Sequence, residues 1–292
     1  MKPVFKLLSS VLFLMIFLAP ASRSQNLKYN WLLKYDPGQS IEARVPVPRD
    51  YVRVPVAPGG FQDWLRRLPL KPGRPEVRLF NGNLKANQSA HFAVLDLDLG
   101  AQDLQQCADS IIRLRAEYLY SVKDYSSIHF NFTSGDEARF DQYAKGYRPV
   151  VIGNYVRWTK SAQSDDSYSS FRNYLDLVFK YAGSYSLSKE MLSVKSLNDL
   201  QIGDVFIRGG FPGHAIIVVD LAENPETKDK IFLLAQGYIP AQEMHLLNNF
   251  TDSRLSPYYS LNFGEKLETP EYSFDRSELK KFTKSGSEMN PQ

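Results

Sequence analysis

The clearest pattern of hydrophobic and polar positions along the chain predicts a helix over residues 103–123. Apolar or small residues recur there at the spacing of one buried helix face: Leu104, Cys107, Ala108, Ile111, Leu114 and Tyr118. Asp103 is a suitable N-cap, with Gln106 three residues later as a variant of the capping box, and Asp98 is the alternative start. The choice decides whether Cys107 lies near the helix start or in the middle.

Charged residues on the same helix predict a solvated edge. Asp109, Arg113 and Glu117 follow one another at four-residue intervals, which suits ion pairs exposed to water.

A second pattern, in residues 203–238, predicts three strands joined by short turns. The strands are expected over residues 204–208, 214–220 and 231–236, and the first connection is Gly-Gly-Phe-Pro-Gly. Two further helices are expected over residues 61–68 and 168–182. The first third of the chain is rich in proline and β-branched residues. Within it, Asn81-Gly82 is a hairpin signal. The sequence therefore predicts an α+β protein with a β-rich N-terminal segment.

The first residues have the pattern of a secretory signal peptide. Lys2 and Lys6 precede an apolar run over residues 7–18, and small residues follow, so cleavage is expected after Ala21 or Ser24. The alternative is an uncleaved anchor, but the run is shorter than the ~20 residues that span a bilayer. The predicted organisation is a signal peptide (1–24), a β-rich segment (25–100), an α+β core (101–283) and a disordered tail (284–292). We expect an exported protein, periplasmic or extracellular, without stable membrane insertion.

Charge and cysteine content narrow the function classes. The formal net charge of +3 falls to zero once Lys2, Lys6 and Arg23 are removed, so a nucleic-acid partner is not expected. The chain has one cysteine and cannot form an internal disulfide, so stability must come from the core.

Two interpretations of Cys107 remain open. If Asp103 caps the helix, Cys107 lies about one turn inside its N-terminus, where free amides and the helix dipole favour a thiolate. Cys107 also belongs to the apolar face, and free cysteine is among the most buried residue types. It is either a packing residue alone or a nucleophile that also belongs to the apolar face.

A nucleophilic cysteine needs a base, and His214 is the best candidate among the four histidines. It begins a predicted strand directly after a glycine-rich turn. If Asp220 pairs with Lys230, His214 faces Gln236 across the hairpin, with Cβ atoms about 4.5–5.5 Å apart. The Gln236 amide would then orient the imidazole, as the third member of a Cys-His-polar triad. Taken singly, His214 and Gln236 are better explained as polar residues at strand ends.

The segment "GDVFIRGGFPGHAIIVVD", together with "DLQQCADSIIRLRAEYLY", resembles NlpC-like cell-wall peptidases and amidases of papain fold. In those enzymes a cysteine at the start of a helix attacks an amide, a strand histidine is the base, and a polar residue on the next strand orients it. Cys107, His214 and Gln236 match these roles in order. The resemblance implies a papain-like core in which the nucleophile helix packs on an antiparallel sheet.

Over almost its whole length the chain also resembles a family of exported bacterial proteins catalogued as a domain of unknown function, number 4846. The stretches "DWLRRLPL" and "LLAQGYIPAQEMHLL" carry this resemblance, together with the two segments above. The family brings no established activity.

Other candidate residues concern substrate binding. Trp64 and Arg66, in "DWLRRLPL", could form an aromatic and cationic surface for a sugar or carboxylate, or lie on an ordinary amphipathic helix. Gln106 or Gln105, or an amide at the helix start, could stabilise an oxyanion. The chain has no metal-ligand or nucleotide motif, so neither metal nor cofactor is expected.

Two functions follow as hypotheses. The first is a cysteine peptidase or amidase acting on peptide or peptidoglycan-like material through Cys107, His214 and Gln236. The alternative is a non-catalytic envelope protein of the same fold that binds a glycan or peptide.

Overall fold

The computed structural model of the protein describes residues 27–289. Its α-helices are α1 Ile41–Arg44, α2 Phe61–Arg66, α3 Cys107–Ser121, α4 Phe140–Ala144, α5 Tyr168–Tyr181, α6 Ser184–Glu190 and α7 Gly286–Met289. Its strands are β1 Val52–Arg53, β2 His91–Val94, β3 His129–Asn131, β4 Glu137–Arg139, β5 Tyr147–Ile152, β6 Tyr155–Lys160, β7 Leu192–Ser193, β8 Val205–Arg208, β9 His214–Glu223, β10 Lys230–Gln236, β11 His245–Leu247, β12 Tyr259–Ser260, β13 Lys266–Glu268, β14 Ser273–Asp275 and β15 Leu279–Lys281.

Nine of these strands form one antiparallel sheet. The strand order is β2-β11-β10-β9-β8-β15-β7, and β1 and β12 pair with β9 and β10 outside this path. The central strands β9 and β10 are buried over almost their whole length, so both faces of the sheet are covered there. The fold is therefore mixed α/β with antiparallel sheets, and the three strands predicted for residues 203–238 are confirmed within three residues at each end.

Helix α3 packs against β9 and is buried all round rather than on one face. Residues 108–119 are all buried, including Asp109, Arg113 and Glu117. The predicted solvated edge is therefore wrong. Buried charges need partners. The charges of Arg113 and Glu117 are tolerated because Arg113 pairs with Glu117 at 3.4 Å and also with Asp98.

The N-terminal part of the chain is joined to the sheet by buried ion pairs. Asp220, fully buried in β9, accepts hydrogen bonds from Nε of Arg53 and Nε of Arg66, both at 2.7 Å. The Tyr258 hydroxyl donates to the same carboxylate at 3.1 Å. Between residues 27 and 100, the described part of this segment, there are two short strands, β1 and β2, and β1 pairs with the end of β9. It is less β-rich than predicted and adds to the same sheet.

Both ends of the chain bear on the predicted organisation. The predicted signal peptide, residues 1–24, lies outside the described residues. The tail was expected to be disordered from residue 284, but Gly286–Met289 form a helical turn. Its anchor is Glu288, which pairs with Arg115 of α3 at 2.6 Å.

Candidate active site

Cys107 is the first residue of α3. Gln106 is the N-cap residue, and its backbone N–H donates to Asp109 Oδ2 at 3.1 Å. Asp103 instead accepts the N–H of Ala241 at 2.6 Å. The helix starts at Asp103 or Asp98 are therefore both wrong, and Cys107 lies among the amides that an α-helix leaves unsatisfied. Its side chain is partly exposed, although the next twelve residues are buried.

The electrostatic surroundings of the thiol oppose its ionisation. Burial, with a further contribution from Asp109, raises the pKa of Cys107 to about 11. The amides of Ala108 and Ala215 lie close to the sulfur and act in the opposite direction. Burial also raises the pKa of Asp109 to about 8, so near neutral pH its carboxyl group is mostly uncharged.

The contact with Ala215 places the sulfur beside the residue that follows His214. Among the described residues, no hydrogen bond joins the thiol directly to the imidazole. Such contacts are often long in ligand-free enzymes and shorten when substrate binds. The fold thus brings the helix start and the beginning of β9 together.

His214 and Gln236 form a buried hydrogen bond. His214 Nε2 and Gln236 Oε1 are 2.9 Å apart, as the triad prediction requires. The predicted register, however, is wrong: Asp220 pairs with Leu233, and not with Lys230. A bulge at Val219 then shifts the ladder by one residue. Because such a shift exchanges the two faces of a strand, the bulge is what brings both side chains to one face.

Neighbouring acceptors fix the orientation of the Gln236 amide. Its Nε2 donates to Glu271 Oε2 at 2.7 Å and lies 3.3 Å from Nε2 of His245, whose Nδ1 donates to the carbonyl of Glu243 at 2.9 Å. A carboxylate only accepts, so the amide oxygen must face His214. The imidazole then carries its proton on Nε2, and Nδ1 keeps a free lone pair.

Aromatic rings enclose the imidazole. The ring centroids of Tyr238, Tyr272 and Phe274 lie 4.8, 5.0 and 5.9 Å from that of His214. Burial lowers the pKa of His214 to about 4, against the opposing effect of its amide hydrogen bond. The imidazole is therefore neutral at physiological pH.

Gly237 allows the helix start to approach the end of β10. A Cβ at this position would lie 2.3 Å from Ser110 Oγ and 3.0 Å from the carbonyl oxygen of Gln106. Only a residue without a side chain fits between Gln236 and the first turn of α3.

The predicted surface at Trp64 and Arg66 does not exist. Trp64 is 1% exposed and Arg66 is 4% exposed, and the guanidinium of Arg66 binds Asp220. The first four residues of "DWLRRLPL" form the end of α2, which packs on β9, and both predicted side chains serve the packing of this helix.

The two glutamines before Cys107 have other partners. Gln106 Nε2 donates to Asp103 Oδ1 at 3.1 Å, and Gln105 Oε1 accepts from Arg113 at 2.7 Å. Gln106 is nevertheless partly exposed beside the thiol. Backbone amides at the head of α3, those of Cys107 and Ala108, point to the sulfur.

Glu271 and Lys85 are among the site residues that the sequence does not predict. Glu271 binds Gln236, and Lys85 forms an ion pair with Glu271. They come from segments 35 and 151 residues away from Gln236 along the chain. No local pattern marks either of them.

Within residues 27–289, no group of three or more His, Cys, Asp or Glu side chains could hold a metal ion. None of the helices in that range is long and apolar enough to cross a membrane.

Comparison with known proteins gives a family but no activity. No curated protein and no solved structure matches the chain. One family model matches residues 41–281, a range that includes Cys107, His214 and Gln236. The chain belongs to the family described as domain of unknown function (4846).

Proposed function

We propose that the protein is a cysteine hydrolase with a papain-like core, which cleaves an amide bond in peptide or cell-wall material. The observation that carries this proposal is the 2.9 Å hydrogen bond between His214 Nε2 and Gln236 Oε1. It leaves Nδ1 as the basic nitrogen of the imidazole. A cysteine at a helix start, a histidine at a strand start and an amide on the next strand together fill the three triad roles.

The proposed reaction uses the thiol and the imidazole in two steps. The Cys107 sulfur attacks the carbonyl carbon, and its proton passes to His214 Nδ1. His214 then gives that proton to the leaving amine as the C–N bond breaks, which leaves a thioester on Cys107. Water, deprotonated by His214, hydrolyses the thioester and restores the thiol. Amides of Cys107 and Ala108 stabilise the oxyanion.

The resting state in this proposal is a neutral pair. The pKa of Cys107 is raised to about 11 and that of His214 is lowered to about 4, both by burial. Proton transfer therefore accompanies attack on the substrate, and no thiolate is formed beforehand. The negative charge that proton loss would leave on the sulfur passes to the carbonyl oxygen of the bound substrate. This makes the proton transfer from Cys107 to His214 favourable.

The raised pKa of the thiol favours the second candidate function. A protein that only binds an envelope glycan or peptide needs no ionisable cysteine, and the same cleft would serve as its binding site. We propose for both candidates an exported protein, as the first residues suggest, acting without metal or cofactor.

Release of amines from candidate substrates separates the two functions. The full mature protein is incubated with peptidoglycan fragments and with a mixed peptide library, and new primary amines are measured. We expect release by the wild type and none by Cys107→Ala. His214→Ala should lose about 10²–10⁴-fold in rate, the usual contribution of a general base.

Cys107→Ser is the matched control, since it keeps the size of the side chain and replaces the thiol with a weaker nucleophile. Binding of the same fragments by both wild type and Cys107→Ala, without amine release by either, would support the binding protein and contradict the hydrolase.

A further inference from the structure

Behind the His214–Gln236 pair lies a second pair of polar side chains. Glu271 Oε2 accepts from Gln236 Nε2 at 2.7 Å, and Glu271 Oε1 accepts from the ammonium group of Lys85. Both side chains are largely buried, with 12% of Glu271 and 5% of Lys85 exposed. The four side chains form a continuous chain of hydrogen bonds, from Lys85 through Glu271 and Gln236 to His214.

The carboxylate removes an ambiguity that an amide would otherwise have. A glutamine side chain can present either its oxygen or its nitrogen to a neighbouring imidazole, and the two orientations select opposite tautomers. With Glu271 behind it, Gln236 has only one orientation that satisfies both contacts. The second acceptor, Nε2 of His245, enforces the same orientation at 3.3 Å.

Lys85 in turn fixes the carboxylate. A nearly buried ammonium group needs an anionic partner, and Glu271 is the carboxylate paired with it. The Lys85 ammonium also lies 5.4 Å from the ring centroid of Tyr238, one of the rings that enclose His214. A residue at position 236 with its own carboxylate would meet Glu271 at close range, and two like charges there repel. This explains why an amide fills the third position of the triad.

From these contacts we infer that Glu271 and Lys85 are a positioning pair, which holds the Gln236 amide so that His214 keeps its proton on Nε2 and presents Nδ1 as the base. The inference rests on the proposed hydrolase for its consequence in catalysis. Its effect on the imidazole does not depend on any reaction.

The test measures the His214 tautomer directly. Nitrogen-15 NMR of the histidine side chains is recorded on the substrate-free full mature protein, for the wild type, Glu271→Ala, Glu271→Gln and Lys85→Met. We expect the Nε2–H tautomer in the wild type and a mixture of tautomers in Glu271→Ala. Glu271→Gln should also give a mixture, because its single amide oxygen must serve either the Lys85 ammonium group or the Gln236 amide.

A matched control is Glu243→Gln, which breaks the ion pair between Glu243 and Lys71. That carboxylate does not contact Gln236, so the His214 tautomer should stay unchanged. Thermal unfolding of each variant verifies that it folds, and Glu271→Gln provides the test if Glu271→Ala does not fold. Lys85→Met should also give a mixture of tautomers, because the Glu271 carboxylate loses the cation that fixes it.

Catalysis supplies a second measurement. On a substrate of the wild type, Glu271→Ala should lose about tenfold to a hundredfold in kcat with little change in KM, the usual size of effects from groups that orient a reacting residue. An unchanged Nε2–H tautomer in Glu271→Ala, or in Glu271→Gln if Glu271→Ala does not fold, would overturn the inference. A tautomer change in a protein that releases no amine would instead support the positioning pair and contradict the proposed hydrolase.

Discussion

At the scale of single residues, Cys107 combines an accessible position with surroundings that oppose its charge. It is the first residue of α3 and is partly exposed, yet burial raises its pKa to about 11. The sequence leaves open whether Cys107 is a nucleophile or only a packing residue. With the structure, the question becomes whether this thiol can lose its proton. The residue is partly exposed at the start of the helix, and in the proposed mechanism its reactivity depends on proton transfer to His214.

The low pKa of His214 makes a prediction for the pH dependence of activity. Only the neutral imidazole accepts a proton, and burial lowers this pKa to about 4. Activity should therefore persist as the pH falls through the usual histidine range near 6.5 and decline only near pH 4. The measurement is kcat/KM against pH, which reports the free enzyme. An acid limb at or above pH 6.5 would contradict this account of the base.

An exposed aromatic residue, three residues before His214 in the chain, leads to a prediction for substrate binding. Phe211, 86% exposed, lies in the turn that leads into His214. If it contacts an apolar part of the substrate, Phe211→Ser should raise KM about tenfold and leave kcat nearly unchanged, since a phenylalanine contact contributes about 1.5 kcal/mol or more. The control is Phe250→Ser. Phe250 is also exposed and follows the C-terminal end of β11, so its replacement should change neither KM nor kcat.

At the scale of elements, two local features bring the site together. The bulge at Val219 places His214 and Gln236 on one face of the sheet, and Gly237 lets the start of α3 approach the end of β10. Neither belongs to the proposed triad, and both shape its geometry.

Substitution of Gly237 tests the second feature. A Cβ there would lie 2.3 Å from Ser110 Oγ and 3.0 Å from a backbone oxygen, so Gly237→Ala should push α3 away from β10. We expect a loss of activity larger than the loss of thermal stability. The control is Gly183→Ala, where an added Cβ meets no atom within 4 Å. Full activity in Gly237→Ala would show that this close approach is not needed.

Sequence patterns predict the elements better than their junctions. The strands around His214 and Gln236 follow from apolar runs and turn residues, and α3 follows from its periodicity. The bulge and the helix start do not, because tertiary contacts decide them: Asp103 binds the chain at Ala241 instead of capping α3. The predicted register of β9 and β10 is incorrect. Near the site it differs from the observed register by an even number of residues, so it still places His214 and Gln236 on the same face.

At the scale of the whole molecule, one buried carboxylate joins distant parts of the chain. The Asp220 carboxylate accepts hydrogen bonds from Arg53, Arg66 and Tyr258, which belong to three separate segments of the chain. The sequence places Arg66 on a helix but cannot reveal its partner 154 residues away. Glu271 and Lys85 escaped prediction for the same reason, since long-range contacts leave no periodic signal.

Removal of this carboxylate should destabilise the whole fold. Asp220→Ala leaves two arginines without their anion, and breaking a buried pair typically costs about 3–5 kcal/mol. We expect a loss of this size in the free energy of unfolding, measured by urea denaturation. Glu76→Ala, which breaks the exposed pair with Arg78, is the control and should cost less than about 1 kcal/mol. An equal effect of both variants would contradict the structural role of Asp220.

The central claim, a Cys107 nucleophile with His214 as its base, is tested most directly by acyl transfer from p-nitrophenyl acetate. Intact-protein and peptide mass spectrometry would follow acetylation of the full mature protein. The account predicts one acetyl group, on Cys107, and a first turnover, followed as p-nitrophenolate release, that is about a hundredfold or more faster in the wild type than in His214→Ala. Equal rates in the two proteins, or acetylation at other residues with Cys107 unmodified, would contradict it.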